Sequence, residues 1–151
     1  MDHKPLLIVL VEDDDGHATL IRRNLERGGL GAELVRLREG GEALEYLRNQ
    51  FAEGAPRQML VLLDIRMQGM DGTEVLRRLK SDPALRILPV YMLTTTDNPT
   101  EVERCFELGC NAYLMKPVSY EEFSTAIQRL SAFLEVSQIP QGPPRQKYAS
   151  A

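Results

Sequence analysis

Apolar residues along this chain gather into five short runs: Leu6–Val11, Ala32–Leu37, Met59–Leu63, Pro89–Leu93 and Ala112–Met115. The first, third and fourth are almost solidly apolar, as a central parallel strand needs when helices cover both of its faces. Ala32–Leu37 instead alternates through Glu33 and Arg36, the pattern of a strand near an edge. Stretches of helical period lie between the runs. The first, near His17–Gly28, puts Ala18, Ile21 and Leu25 on one face and stops at Gly28 and Gly29. The second, Gly40–Gln50, carries Ala43, Leu44 and Leu47; the third, Thr73–Lys80, carries Val75, Leu76 and Leu79 and closes before Pro83. A fourth opens on Pro99, a favoured first-turn residue, and runs through Val102 and Phe106 to Gly109. The last has the clearest stripe, with Phe123, Ala126, Ile127, Leu130, Phe133 and Leu134 at helical spacing. Strand–helix units repeated on short connections predict right-handed crossovers and one doubly wound α/β sheet.

Two segments break this rhythm. Phe51–Gln58 is a longer connection with Gly54 and Pro56, and residues 137–151 form a Pro/Gln/Gly-rich tail containing Arg145 and Lys147 but no acid. The expected organisation is one domain over residues 1–136 and a disordered or extended arm over 137–151, with no room for an output domain after it. The 151 residues suffice for one hydrophobic core. A net charge of −4 gives no basic footprint for nucleic acid. No apolar run reaches membrane-span length, and no secretory signal opens the chain. Cys105 and Cys110 make no disulfide framework and fit small buried residues in a reduced cytoplasm.

In a parallel α/β sheet, ligands bind beyond the carboxyl ends of the strands, so the polar residues found there carry the chemistry. The first strand ends in Glu12, Asp13, Asp14 and Asp15, the third in Asp64, the fourth in Thr94, Thr95 and Thr96, and the fifth in Lys116–Pro117. Clustered carboxylates repel one another unless a cation joins them, and an all-oxygen set suits a hard divalent ion, Mg2+ above all where phosphate is handled. Lys116 and Thr94 supply an ammonium and a hydroxyl suited to phosphate oxygens. His3 and His17 are the only histidines, no Gly-rich phosphate loop occurs, and the remaining nucleophile is a carboxylate able to form an acyl phosphate. Either Asp14 or Asp15 suits a helix cap, Asp71–Gly72 reads as turn and cap chemistry, and His17 reads as an exposed first-turn residue.

The segments LIVLVEDD (Leu7–Asp14), LLDIRMQGMDG (Leu62–Gly72), PVYMLTT (Pro89–Thr95) and AYLMKPV (Ala112–Val118) resemble, in order and at strand ends, the receiver domain of two-component response regulators. The resemblance covers about Leu6 to Leu134. It implies the flavodoxin-like (βα)5 fold with sheet order 2-1-3-4-5. It also implies phosphorylation of Asp64, Mg2+ ligated by Glu12, Asp13, Asp64 and the Arg66 backbone carbonyl (with Mn2+ or Ca2+ able to substitute), and phosphoryl contacts from Thr94 and Lys116. Tyr113 matches the aromatic whose rotamer reports the state of the site, although packing alone would also explain it. Pro117 matches a proline whose preceding peptide bond is usually cis. VEDDDGHATLI (Val11–Ile21), the long connection before the third strand, SDPALRILPV (Ser81–Val90) and LTTT (Leu93–Thr96) are similar to single-domain regulators that partner phytochromes. That similarity implies a phytochrome-type histidine kinase as donor, and often a homodimer. The chain departs from the family at Gln68–Gly69, where a proline-led turn is common, and at Arg66, whose long cationic side chain stands two residues past Asp64.

Two other functions compete. A phosphohydrolase with an aspartate nucleophile needs a second acid two residues on, and Arg66 cannot serve as a general acid at neutral pH. A receiver-like binding module that is never phosphorylated would typically lack the phosphoacceptor, an acidic ligand or the lysine, and this chain keeps all three; a phosphate sink without a dedicated output would keep them as well.

Overall fold

The computed structural model describes residues 5–27, 31–53, 57–95, 98–119, 121–122, 124–126 and 128–129. Among these residues five strands and four helices alternate: β1 (Leu7–Val11), α1 (Asp15–Arg27), β2 (Glu33–Leu37), α2 (Gly40–Ala52), β3 (Met59–Asp64), α3 (Gly72–Ser81), β4 (Val90–Thr94), α4 (Pro99–Leu108) and β5 (Ala112–Met115). Helical backbone resumes at residues 121–122, 124–126 and 128–129. The strands form one sheet in the order β2-β1-β3-β4-β5, and every pairing is parallel. This is the doubly wound sheet expected from the alternating pattern, in the flavodoxin-like strand order that the resemblance implies.

Burial explains the order. Every residue of β1, β3 and β4 is buried, whereas β2, at one edge, is only partly covered, as its alternating sequence requires. Side chains of a strand point alternately to the two faces. Val9, Val11, Val61 and Leu63 pack with Leu44, Leu47, Leu76 and Leu79 of α2 and α3. Ile8, Leu10, Leu60 and Leu62 pack on the other face with Ala18, Ile21 and Leu25 of α1. Ala126 joins that second cluster, and its carbonyl accepts a hydrogen bond from the Tyr91 hydroxyl at 3.1 Å. Each fully buried large aliphatic side chain contributes roughly 1.5–3 kcal/mol relative to exposure. The other residues of the expected last-helix stripe, and the tail, lie outside the described residues.

Among the boundaries that differ from the sequence reading, three have a clear physical cause. The fourth strand begins at Val90 and runs to Thr94 instead of beginning at Pro89; proline has no N–H for the ladder, and only its carbonyl takes part, accepting from Val61. The second helix continues two residues past Gln50, because Phe51 still packs against the core, so the connection that follows is shorter than expected. α1 begins at Asp15, two residues before His17, because Asp14 caps it: the Asp14 carboxylate accepts the His17 backbone N–H at 2.8 Å.

The ladders bring the strand ends to one rim. Val11 is level with Leu37 and Leu63, Asp64 with Leu93, and Thr94 with Met115. Glu12, Asp13, Asp64, Thr94 and Lys116 therefore meet although as many as 104 residues separate them.

Candidate functional site

The rim is anchored by main-chain bonds before any side chain is considered. Glu12 N–H donates to the Leu37 carbonyl, Ile65 N–H to Leu93, and Lys116 N–H to Thr94, at 2.7–3.1 Å. Arg36 of β2 adds a bond from its Nε to the Glu12 carbonyl at 2.7 Å and an ion pair with Asp15 at 2.9 Å. On the other side, α3 presses its first turn against the end of β3. Gly72 N–H donates to the Ile65 carbonyl, and a β-carbon on Gly72 would stand 2.2 Å from the Asp64 carbonyl oxygen. Asp71 caps the helix by accepting Glu74 N–H at 3.0 Å. The turn and cap expected at Asp71–Gly72 is therefore present, with glycine required for close approach to the site.

Glu12 is fully buried and Asp64 is 3% exposed. Oxygen atoms of Glu12, Asp13 and Asp64 all lie within 4.8 Å of one another. Among the described residues one ammonium faces them: Lys116 Nζ is 2.6 Å from Glu12 Oε1 and 3.2 Å from Asp64 Oδ1. Three carboxylates against one ammonium leave an excess of negative charge in a partly buried place, and burial makes that costly. Accordingly burial, and next the Glu12 carboxylate, push Asp64 up to about 6 even though Lys116 pulls it down. A cluster of oxygen ligands with surplus negative charge suits a hard divalent cation, which would offset the repulsion. The donor set thus fits a divalent metal ion. Asp13, the most open of the three acids, accepts the Gln68 backbone N–H at 3.2 Å. The Gln68–Gly69 turn, with Gly69 at φ +78°, therefore returns the loop to the acid cluster. Arg66 and Asp13 line the same cleft.

Thr94 is fully buried at the end of β4 and shares a hydrogen bond with the Tyr113 hydroxyl, while burial raises the Tyr113 phenol. The aromatic matched to the switch position is thus in direct contact with the strand-end hydroxyl. The peptide bond between Lys116 and Pro117 is cis. The Arg66 guanidinium pairs with Glu101 of α4, with Nη2 3.0 Å from Oε2. Of the acids following Glu12, Asp14 serves as the cap, and Asp15 pairs with Arg36 and Arg38.

The sequence reading missed a sixth side chain at the rim. His17 has an exposed ring, as expected for a first-turn residue, yet its Nδ1 lies 3.0 Å from Lys116 Nζ. The available signal was its place three residues after the capping aspartate, which keeps it in the first turn beside the strand end.

A model of the response regulator receiver domain matches residues 8–128. The probable methanogenesis regulatory protein FilR2 of Methanothrix harundinacea is 38% identical over 129 residues, covering 85% of this chain and 83% of that protein. The response regulator Rcp1 of Synechocystis sp. is 36% identical over 138 residues, covering 90% of this chain and 94% of its own. The crystal structure of the Mn(2+)-bound form of Rcp1 superposes with a TM-score of 0.70 at 35% identity, covering 86% of this chain and 94% of that one. The phosphorylated cyanobacterial phytochrome response regulator RcpA gives a TM-score of 0.70 at 34% identity, covering 87% and 94%. With one family model spanning the sheet and relatives sharing over a third of their residues along most of their length, the chain belongs to the response regulator receiver domain family.

Proposed function

We propose that this protein is a phosphorylation switch in which Asp64 accepts a phosphoryl group from a histidine kinase. The observation that carries this reading is the placement of a buried aspartate 3.2 Å from a lysine ammonium and within 4.8 Å of two further acids. A carboxylate oxygen of Asp64 attacks the phosphorus of a phosphohistidine. A P–O bond forms as the P–N bond breaks, and the leaving electron pair returns to the imidazole nitrogen. Glu12, Asp13, Asp64 and the Arg66 carbonyl would hold Mg2+, which supplies charge neutralisation at the phosphoryl oxygens. The ammonium of Lys116 and the hydroxyl of Thr94 contact two of those oxygens. Attack of water on phosphorus later restores the carboxylate and releases inorganic phosphate.

Phosphorylation draws Thr94 toward the new group and changes its bond to Tyr113. That biases a two-state equilibrium of the β4–α4 loop and of the surface carried by α4 and β5. Phe106 and Met115, both exposed there, give that surface apolar contact area for a second copy of the chain or for a target. The donor is a phytochrome-type kinase, a reading supported by the similarity to RcpA. The switch works in the cytoplasm, which suits two unpaired buried thiols; among the described residues no helix is long and apolar enough to cross a membrane. Intact-mass measurement after incubation with phosphoramidate and Mg2+ tests the core of the proposal. The wild-type chain should gain the mass of one phosphate and Asp64→Asn none; equal uptake by the two, or none by either, refutes it.

A further inference from the structure

An ammonium has three N–H donors and no acceptor. Lys116 Nζ has three neighbours in the structure: Glu12 Oε1 at 2.6 Å, Asp64 Oδ1 at 3.2 Å and His17 Nδ1 at 3.0 Å. Because Lys116 can only donate, a hydrogen bond between the two is one in which His17 Nδ1 presents its lone pair to the ammonium. The same Nδ1 is 3.9 Å from Glu12 Oε1, beyond hydrogen-bond reach, so the histidine engages the lysine and not the acid.

His17 is itself well held. Asp14 fixes its backbone N–H, and burial of Ala18, Ile21 and Leu25 fixes the helix that carries it. A cleft lined by His17, Leu20, Ile21, Thr95, Pro117 and Val118 opens beside Lys116. Its walls are largely apolar, and none of the described residues lining it is a carboxylate, so a lysine released on this side would move its ammonium off Glu12 and Asp64. Lys116 is 7% exposed and His17 45% exposed by side chain, which makes the imidazole the wall between ammonium and water.

We infer that His17 is a positioning residue for phosphoryl transfer, its Nδ1 lone pair holding the Lys116 ammonium over Asp64. The inference rests on the proposed role of Asp64 and adds to it a residue that touches neither phosphate nor metal. Acting through Lys116, His17 changes how fast the bound donor reacts and leaves donor capture alone. Asparagine presents an amide oxygen near the place of Nδ1, whereas leucine keeps bulk and offers no acceptor.

The test measures initial rates of Asp64 phosphorylation by phosphoramidate at saturating Mg2+ across a range of donor concentration, for wild type, His17→Leu and His17→Asn. Loss of one hydrogen bond to a charged group at a half-exposed site is expected to lower the maximal rate of His17→Leu roughly fivefold. The donor KM should stay unchanged, and His17→Asn should recover most of the rate. A maximal rate for His17→Leu equal to wild type overturns the inference, and so does equal slowing by leucine and asparagine. The metal-free proteins give a second readout, the 15N–1H signal of the Lys116 ammonium. It should be sharp in wild type and His17→Asn and broadened in His17→Leu; a sharp signal in all three overturns the inference whatever the rates. Failure of the wild type itself to take up phosphate would instead count against the role of Asp64, with the ammonium signal still deciding that of His17.

Discussion

Replacing Asp64 with asparagine should stabilise the metal-free protein near neutral pH. Asp64 is 3% exposed, beside the fully buried Glu12, and its carboxyl is pushed from an ordinary 3.8 up to about 6. A raised folded-state value means that the fold prefers the protonated acid. The contribution is therefore fully present below about pH 4 and is lost as pH rises through about 6. The shift corresponds to a ceiling of about 3 kcal/mol, so an advantage of about 1–3 kcal/mol for Asp64→Asn is expected at pH 7.5. The amide preserves shape and can turn its oxygen toward Lys116, so the substitution removes charge with little change in packing. For a chain of this size the difference is a rise in Tm of about 2–10 °C. Comparing thermal unfolding of the two proteins at several pH values cancels the contribution of carboxylates remote from the site. The advantage of Asp64→Asn should shrink toward zero on acidification, and Mg2+ should reduce it by stabilising wild type selectively. An Asp64→Asn variant no more stable than wild type at pH 7.5 without metal, or an advantage independent of pH, would refute the reasoning.

Arg66→Ala breaks an exposed pair with Glu101 and should change unfolding free energy by less than about 1 kcal/mol. It should nevertheless alter the lifetime of the phosphorylated state, because Arg66 stands at the mouth of the site; an unchanged dephosphorylation rate excludes that role. Gly72→Ala places a methyl group 2.2 Å from the Asp64 carbonyl oxygen and 2.7 Å from the Ile65 Cα, both backbone atoms. It should cost about 2–4 kcal/mol in denaturant unfolding, and a loss under about 1 kcal/mol would show that the loop yields freely. Cys105 and Cys110 are buried, and burial raises both thiols, Cys110 to about 12. Neither should react with a disulfide reagent in the native protein at pH 8, and rapid labelling would contradict their placement.

The strands were legible because burial on both faces imposes a composition: LIVLV and MLVLL admit no polar residue until Glu12 and Asp64, so the strand ends and the candidate site announced themselves together. Polarity likewise marked β2 as an edge strand. Boundaries were less legible, since Asp14 sets the start of α1 through a side-chain bond and Pro89 sets the start of β4 through a missing N–H. Least visible were contacts between residues far apart in the chain. Nothing in the spacing of His17 and Lys116 places one nitrogen 3.0 Å from the other. Nor does the pattern say that Gly72 is there for want of a β-carbon, or that Arg66 finds Glu101. Residues 82–88, passed over between α3 and β4, bury Leu85 and Leu88 and are tied by Lys80 Nζ to the carbonyls of Arg86 and Leu88, a local arrangement without periodicity.

The most direct measurement locates the phosphoryl group. Phosphorylation with phosphoramidate and Mg2+, followed by borohydride reduction, converts an aspartyl phosphate to homoserine, which peptide mass spectrometry then assigns. Conversion is expected at Asp64 alone, absent without Mg2+ and strongly reduced in Lys116→Ala. Conversion at Asp13 or elsewhere with Asp64 intact would contradict the account.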